Sequence, residues 1–381
     1  MKPKTTIAGI IVAGAVALTA YAGDDSPAHV DRFVNGASVA PNAKTESPDF
    51  AVEPLKFYRF ECRVRSPKAG FVAALWRNPD ATWGRDLQGR AGDLRAEDYQ
   101  SVAASDEWQT VVFYSRAQAN AVACCLRVQA LEGTVEVESA SVSGPSAAGE
   151  VLAWSESLLD GVNVPASADT GSLPRTAAAL RDSGTLRVVF LGDSIMQDAA
   201  NSPIELWLEQ VCPGLRVEVI TAIGGGAGMQ RWNHPEDFPG HDLNLQAAVI
   251  DQRPDLVLIG GISNGGAYGD LREIIARIRD GARAIGAPEP DVALMTGPFG
   301  EWRGADDKRE NDAKALRAIA AGTGAAFLDL RSAWLEAIAA SGRDPATFYR
   351  DAIHGSAAGK HLQGRIIAGW LADSQIRDTP R

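Results

Sequence analysis

Four short segments of this 381-residue chain hold the side chains that acyl transfer needs. Gly192-Asp193-Ser194 supplies a hydroxyl, and Gly224-Gly225-Gly226-Ala227-Gly228 supplies backbone amides with little side chain in the way. Ile262-Ser263-Asn264-Gly265 supplies a carboxamide. Asp351-Ala352-Ile353-His354 supplies an imidazole with a carboxylate three residues before it. A serine hydroxyl is a weak nucleophile until a base takes its proton. His354 is the candidate base. Asp351 is the candidate group to hold its tautomer and stabilise the imidazolium. The developing oxyanion needs donors fixed in advance, and the Ser194 amide, a loop-glycine amide and the Asn264 side chain make three. Losing one such donor typically costs ~10²–10³ in rate.

The elements that must position these groups read as alternating strands and helices. Apolar runs at 186–191, 216–220, 256–259, 292–295 and 326–330 are five buried strands. A helix opens at Asp270 with Glu273 three residues on, a capping-box-like pair. Leu271, Ile274, Ile275, Ile278, Ala282 and Ile285 share one face of it, and Gly286 and Pro288 close it. Such alternation predicts a mostly parallel sheet with helices on both faces. Ligands in such folds sit beyond the carboxyl ends of the strands. Each of the first three segments comes directly after a strand and the fourth precedes a terminal helix, so the four converge on one sheet edge.

Gly-Asp-Ser after the first strand, a glycine loop after the second, Asn after the third and Asp-x-x-His near the end resemble the GDSL/SGNH hydrolase family over about residues 173–375. The resemblance implies a three-layer α/β/α, flavodoxin-like hydrolase domain, taken as residues 150–376. It implies Ser194 as nucleophile, His354 as base and Asp351 as its orienter. The implied oxyanion donors are the Ser194 amide, a glycine of 224–226, with Gly225 chosen, and Asn264. The family's usual Gly-x-Asn-Asp reads Ile262-Ser263-Asn264-Gly265 here.

The first half has a different rhythm. Strand candidates at 57–64, 70–76, 108–114, 121–128 and 133–142, joined by turns, predict an all-β sandwich over residues 26–145. Their order resembles the jelly-roll, carbohydrate-binding-module-like sandwiches attached to bacterial polysaccharide enzymes. Trp76 and Trp108 are assigned to its core, and Trp83, in a polar loop, to sugar stacking or loop cover. Residues 144–184 read as a Ser/Ala/Gly-rich linker that passes through a short helix candidate after Pro174 into the second domain. Residues 1–22 carry Lys2 and Lys4, an apolar run and Ala20-Tyr21-Ala22, the pattern of a cleaved secretory signal peptide. Cleavage removes two lysines and no acids, taking the net charge from −11 to −13. No later stretch is apolar enough to span a membrane, so the expected mature protein is soluble and exported. With 37 Lys and Arg against 48 Asp and Glu, it lacks the basic footprint of nucleic-acid binding. Export permits disulfides. One of Cys124 and Cys125 can face Cys62, or all three are buried thiols, and Cys212 has no mate.

Gly261-Ile262-Ser263-Asn264-Gly265 also matches the nucleophile elbow of α/β-hydrolases, which would make Ser263 the nucleophile. Too few strands precede it in this domain, Asp and His three residues apart do not suit that fold, and Gly-Asp-Ser would go unexplained. The glycine run is not a nucleotide loop, since its spacing is wrong and no Walker lysine comes after it. Of five histidines, His29 lies in the flexible start and His361 on the terminal helix. His234 and His241, flanking Asp237 and Asp242, read as a solvated loop rather than a metal site. Trp232 and Trp302 come after strands on the active-site edge and are candidate sugar platforms, with Glu301 and Arg303 beside the latter.

The expectation is an exported serine esterase. It removes acyl groups, acetyl foremost, from an acylated oligo- or polysaccharide through an acyl-serine intermediate, with no cofactor or metal. The alternatives are a lipase- or thioesterase-type relative and a glycan-binding protein with a degenerate hydrolase domain.

Overall fold

The computed structural model describes residues 37–77, 97–165, 172–237, 243–262, 268–298 and 307–377. The signal-peptide segment, Trp83, His29, His241, Asp242, Ser263, Asn264, Glu301, Trp302 and Arg303 lie outside the described residues.

The first domain is built from β1 (Ala37–Val39), β2 (Lys44–Glu46), β3 (Phe50–Ala51), β4 (Phe57–Ser66), β5 (Gly70–Arg77), β6 (Glu97–Val102), β7 (Ser105–Arg116), β8 (Ala123–Ala130) and β9 (Val135–Ser143). All pairings are antiparallel. One sheet runs β1-β9-β4-β7 and the other β2-β8-β5-β6, with β3 also on β8. Alternate residues of each strand face inward. Phe60 and Phe113 stack at 4.8 Å, and the Trp76 edge meets Phe60 at 5.9 Å. Trp76 is core, as expected. Trp108 is not: it is half-buried under the Arg65 guanidinium, 4.9 Å from the ring centroid. The four cysteines are buried free thiols, which settles the open alternative against a disulfide. Burial pushes the Cys62 thiol up to about 12, with Glu61 adding to it.

The stretch read as a linker folds into α1 (Ala148–Leu158) and α2 (Pro174–Asp182). The second domain continues through β10 (Thr185–Gly192), α3 (Ser194–Ala200), α4 (Ile204–Val211), β11 (Arg216–Ile223), α5 (Met229–Asn233), β12 (Leu256–Ile259), α6 (Tyr268–Ala284), β13 (Asp291–Met295), α7 (Asp307–Thr323), β14 (Ala326–Leu328), α8 (Leu330–Ser341) and α9 (Ala357–Arg377). The α6 helix starts two residues before Asp270, which therefore sits in its first turn and not at its cap. The sheet is parallel in the order β11-β10-β12-β13-β14, the flavodoxin-like 2-1-3-4-5 arrangement.

Its strands are apolar throughout because both faces are covered. Leu186, Val188, Phe190, Leu256 and Leu258 face a core shared with residues of α3, α4, α8 and α9. Val189, Leu191, Val257 and Ile259 face the opposite core, with residues of α5, α6 and α7. This is the expected three-layer domain, preceded by the expected β-sandwich.

The two domains meet through buried polar groups. Arg116, at the end of β7, donates to both carboxylate oxygens of Glu205 on α4 at 2.7 and 2.8 Å and to the Ala200 carbonyl. Lys360 on α9 pairs with Asp98 on β6 at 2.5 Å, each 2% exposed or less. The Thr221 hydroxyl on edge strand β11 donates to the side-chain amide oxygen of Gln118 at 2.7 Å. A salt bridge this deeply buried forms only with tight geometry, because desolvation opposes it. The sandwich is thus docked on the α/β domain.

Candidate active site

Ser194 is the first residue of α3, directly after β10. Asp193 N-caps that helix: its Oδ1 accepts the Ile195 amide at 3.0 Å. Its Oδ2 accepts the Ile262 amide at 2.8 Å, tying the loop after β12 to the turn that bears Ser194. The close approach demands glycine at 261, where φ is +105° and a Cβ would lie 2.3 Å from Asp193 Oδ1. Gly192 is equally confined, since a Cβ there would lie 2.4 Å from the Gly260 carbonyl oxygen. The Ser194 amide, at the first helical position, has no acceptor within the helix.

His354 reaches this turn from a short loop between α8 and α9. Its Nε2 lies 2.9 Å from Ser194 Oγ. Its Nδ1 lies 2.8 Å from Asp351 Oδ2 and 3.0 Å from Oδ1. With Nδ1–H donated to the carboxylate, Nε2 is left as the acceptor for the serine proton. Asp351 Oδ1 also accepts the Ile353 and His354 amides at 2.8 and 2.9 Å. Burial pushes the Asp351 carboxyl up, but the hydrogen bonds from the imidazole and the two amides outweigh it and hold it well below the usual carboxylate range. The three groups predicted from sequence are therefore in hydrogen-bonded sequence, 160 positions apart in the chain.

The glycine loop comes after β11, and the Gly224 amide is spent on the Gly192 carbonyl at 2.8 Å. Gly225 comes next, half-buried, and among the described residues its amide joins no backbone hydrogen bond of the turn. Asn264 lies outside the described residues. Trp232 departs from expectation. It is on α5 but fully buried against the sheet, so it presents no face to a sugar ring. His234 stands near Glu236 at 3.8 Å and Asp270 at 3.5 Å, and no metal-ligand cluster occurs among the described residues. His361 is buried on α9 beside Ser155 Oγ at 2.5 Å. Burial, aided by Lys360, lowers its pKa to about 3, as suits a structural residue.

Sequence reasoning passed over Asp198. It lies four residues after Ser194 on α3, buried, and its Oδ2 accepts the Gly355 amide at 2.8 Å. One helix thus carries the hydroxyl and clamps the residue next to the imidazole. The i, i+4 spacing of an acid behind the Ser was the available signal.

A serine at the end of the first strand of a 2-1-3-4-5 sheet meets an Asp-x-x-His loop leading into the last helix. The fold is a three-layer α/β/α domain of flavodoxin-like strand order. No family model and no curated protein matches the chain. Several solved structures resemble it. One is a two-domain esterase active on acetylated mannans, co-crystallised with mannopentaose: 17% identity, TM-score 0.43, covering 57% of this chain and 57% of that one. A second is an acetylxylan esterase from Geobacillus stearothermophilus, at 19% identity and TM-score 0.36 over 49% of this chain and 94% of that one. A third is a peptidoglycan O-acetylesterase, at 9% identity and TM-score 0.32 over 93% of this chain and 77% of that one. The chain thus spans little more than half the length of the mannan esterase. The functional reading rests on the hydrogen-bonded geometry of Ser194, His354 and Asp351 and not on these distant likenesses.

Proposed function

We propose that this chain is an exported serine esterase that removes short acyl groups, acetyl foremost, from an acylated oligo- or polysaccharide. The observation that carries the reading is the hydrogen-bonded series Ser194 Oγ, His354 Nε2, His354 Nδ1, Asp351. In this mechanism Ser194 Oγ attacks the ester carbonyl while His354 Nε2 takes its proton. The oxyanion is met by the Ser194 amide, with the Gly225 amide and the Asn264 side chain as further donors. The tetrahedral adduct collapses, and His354 gives its proton to the departing sugar oxygen. Water, deprotonated by His354, then attacks the acyl-serine, and as the second adduct collapses His354 returns the proton to Ser194 Oγ and the acid leaves.

A short acyl group suits the site's surroundings. Among the described residues the exposed large apolar side chains are Val122, Leu131, Val211 and Ile262. Of these only Ile262 stands at the strand ends that bear the site. Among the described residues these side chains form no apolar groove at the site, which favours a short acyl group over the lipase-type reading. No described helix is long and apolar enough to cross a membrane. The carbohydrate assignment draws on the leader-like terminus and on the β-sandwich, and the intact series of reacting groups opposes the degenerate reading. The test is acetate release from a panel of acetylated glycans, beside aryl esters of increasing chain length and a Ser194→Ala control. Release from glycan, with aryl rates falling as the chain lengthens, is expected. Preference for long chains and no release from any glycan would overturn the substrate assignment.

A further inference from the structure

The loop bearing Asp351 and His354 does not rest on its own domain alone. Arg350 immediately precedes Asp351, and its side chain is 8% exposed. Its guanidinium carbon lies 5.3 Å from the centroid of the Tyr99 ring and 5.7 Å from that of Phe71. Those two rings pack edge to face at 5.7 Å on β6 and β5 of the sandwich. Arg350 Nη1 donates to the Tyr99 carbonyl at 3.5 Å, and Nε lies 3.8 Å from Asp351 Oδ2. Beyond the loop, Lys360 Nζ donates to the same Tyr99 carbonyl at 2.6 Å and to Asp98 Oδ1. Two cations, one from each side of the Asp351–His354 turn, therefore converge on one carbonyl of the other domain.

The turn needs such support. Asp351 is 41% exposed on its side chain and belongs to neither a helix nor a strand. Misplacement of a reacting group by about 1 Å can cost ~10²-fold in rate. Asp198 holds the far end of the turn through Gly355. The near end is held by the Arg350 guanidinium, which lies against the Tyr99 and Phe71 rings and donates to the Tyr99 carbonyl.

We propose that strand β6 of the sandwich is a positioning element of the active site, with Arg350 the positioning residue that acts through Asp351 on the His354 imidazole. This rests on the reading of Ser194, His354 and Asp351 as the reacting groups.

The test uses the full chain with Arg350→Ala, Tyr99→Ala, their double variant and Tyr99→Phe. Three quantities are measured: kcat and KM on a small aryl acetate, the rate at which a fluorophosphonate modifies Ser194, and the thermal midpoint. Both alanine variants are expected to lose about 10- to 100-fold in kcat and in phosphonylation rate, with KM little changed. The double variant should be no worse than the worse single, because both act through one contact. Tyr99→Phe keeps the ring and the carbonyl and should recover most of the kcat that Tyr99→Ala loses. Folded variants with wild-type kcat and a lowered midpoint would make β6 a mere prop and overturn the proposal. A raised KM at unchanged kcat would make these residues substrate contacts and overturn it equally. If Arg350→Ala does not fold, Tyr99→Ala and Phe71→Ala carry the same comparison. A wild type that is phosphonylated but hydrolyses no ester would defeat the esterase reading alone, and the phosphonylation rates would still decide this one.

Discussion

Replacing Asp351 by Asn separates the two duties of that side chain. Asp351 Oδ1 accepts the Ile353 and His354 amides, and an Asn carbonyl can accept both, so the turn survives. The negative charge 2.8 Å from His354 Nδ1 does not. A hydrogen bond to a charged group contributes about 1.5–3 kcal/mol. The Asp351 side chain is 41% exposed, so solvent screening favours the lower part of that range. About 1.5–2 kcal/mol corresponds to roughly 10- to 30-fold in kcat. A second loss adds to it. With Oδ1 held by two amides, the new NH₂ takes the place of Oδ2 and points a donor at Nδ1. That selects the tautomer whose Nε2 carries a proton and cannot accept one from Ser194. Together the expected loss is about 10²–10³-fold in kcat, short of that for His354→Ala, since the carboxylate is the least costly triad member to remove.

The pH dependence has a definite sign. The Asp351 carboxyl is held below the usual carboxylate range. Its interactions are therefore present above that range and are lost only as pH falls through the depressed folded-state value. The Asp351 carboxylate therefore stays charged through the mildly acid range and does not set the acid limb of turnover. The assay is kcat against pH on a short-chain aryl ester for the wild type, Asp351→Asn and His354→Ala, with circular dichroism to establish folding. A folded Asp351→Asn with wild-type kcat would refute the reasoning, as would a folded His354→Ala that keeps its turnover.

Three further outcomes are expected from the packing. Arg116→Ala leaves Glu205 buried without its counter-charge and should cost about 3–5 kcal/mol in urea unfolding, while Arg116→Met with Glu205→Leu should recover most of it. Burial already raises the Glu205 pKa against the pull of Arg116, so the single-variant penalty should shrink at acid pH; a constant penalty would contradict this. Gly261→Ala forces φ +105° on an alanine and a Cβ into Asp193, so kcat and the thermal midpoint should fall together, by ~1–3 kcal/mol in stability for the backbone strain alone. A chain cut to residues 150–376 strands Glu205 and Lys360 without partners and should lose activity on small and polymeric esters alike; full activity on the small ester would make the sandwich dispensable for catalysis.

Much of the catalytic domain was legible because its chemistry is local. Buried parallel strands read as apolar runs, Gly-Asp-Ser sets a helix cap next to the hydroxyl, and Asp-x-x-His sets two hydrogen-bonded groups three positions apart. The order of the strands did the rest, since the loops at their carboxyl ends must gather on one sheet edge. What was not legible depends on partners distant in sequence. Trp232 comes after a strand on the site edge, yet α5 turns it into the core. The short strands β2 and β6, Lys-Thr-Glu and Glu-Asp-Tyr-Gln-Ser-Val, carry too little apolar alternation to announce themselves. Asp98 and Tyr99 show their use only where α9 and the His354 loop meet them, about 250 residues later. Periodicity tells which face of an element is covered, and cannot tell what covers it.

The central claim is that Ser194 is acylated during turnover. The most direct measurement is quenched-flow mass spectrometry of the protein with an activated acetyl ester, comparing the wild type, Ser194→Ala and Ser263→Ala. The account predicts one acetyl group on the peptide carrying Ser194 in the wild type and in Ser263→Ala, both active. It predicts neither label nor turnover in Ser194→Ala. Label on Ser263, or turnover retained by folded Ser194→Ala, would contradict it.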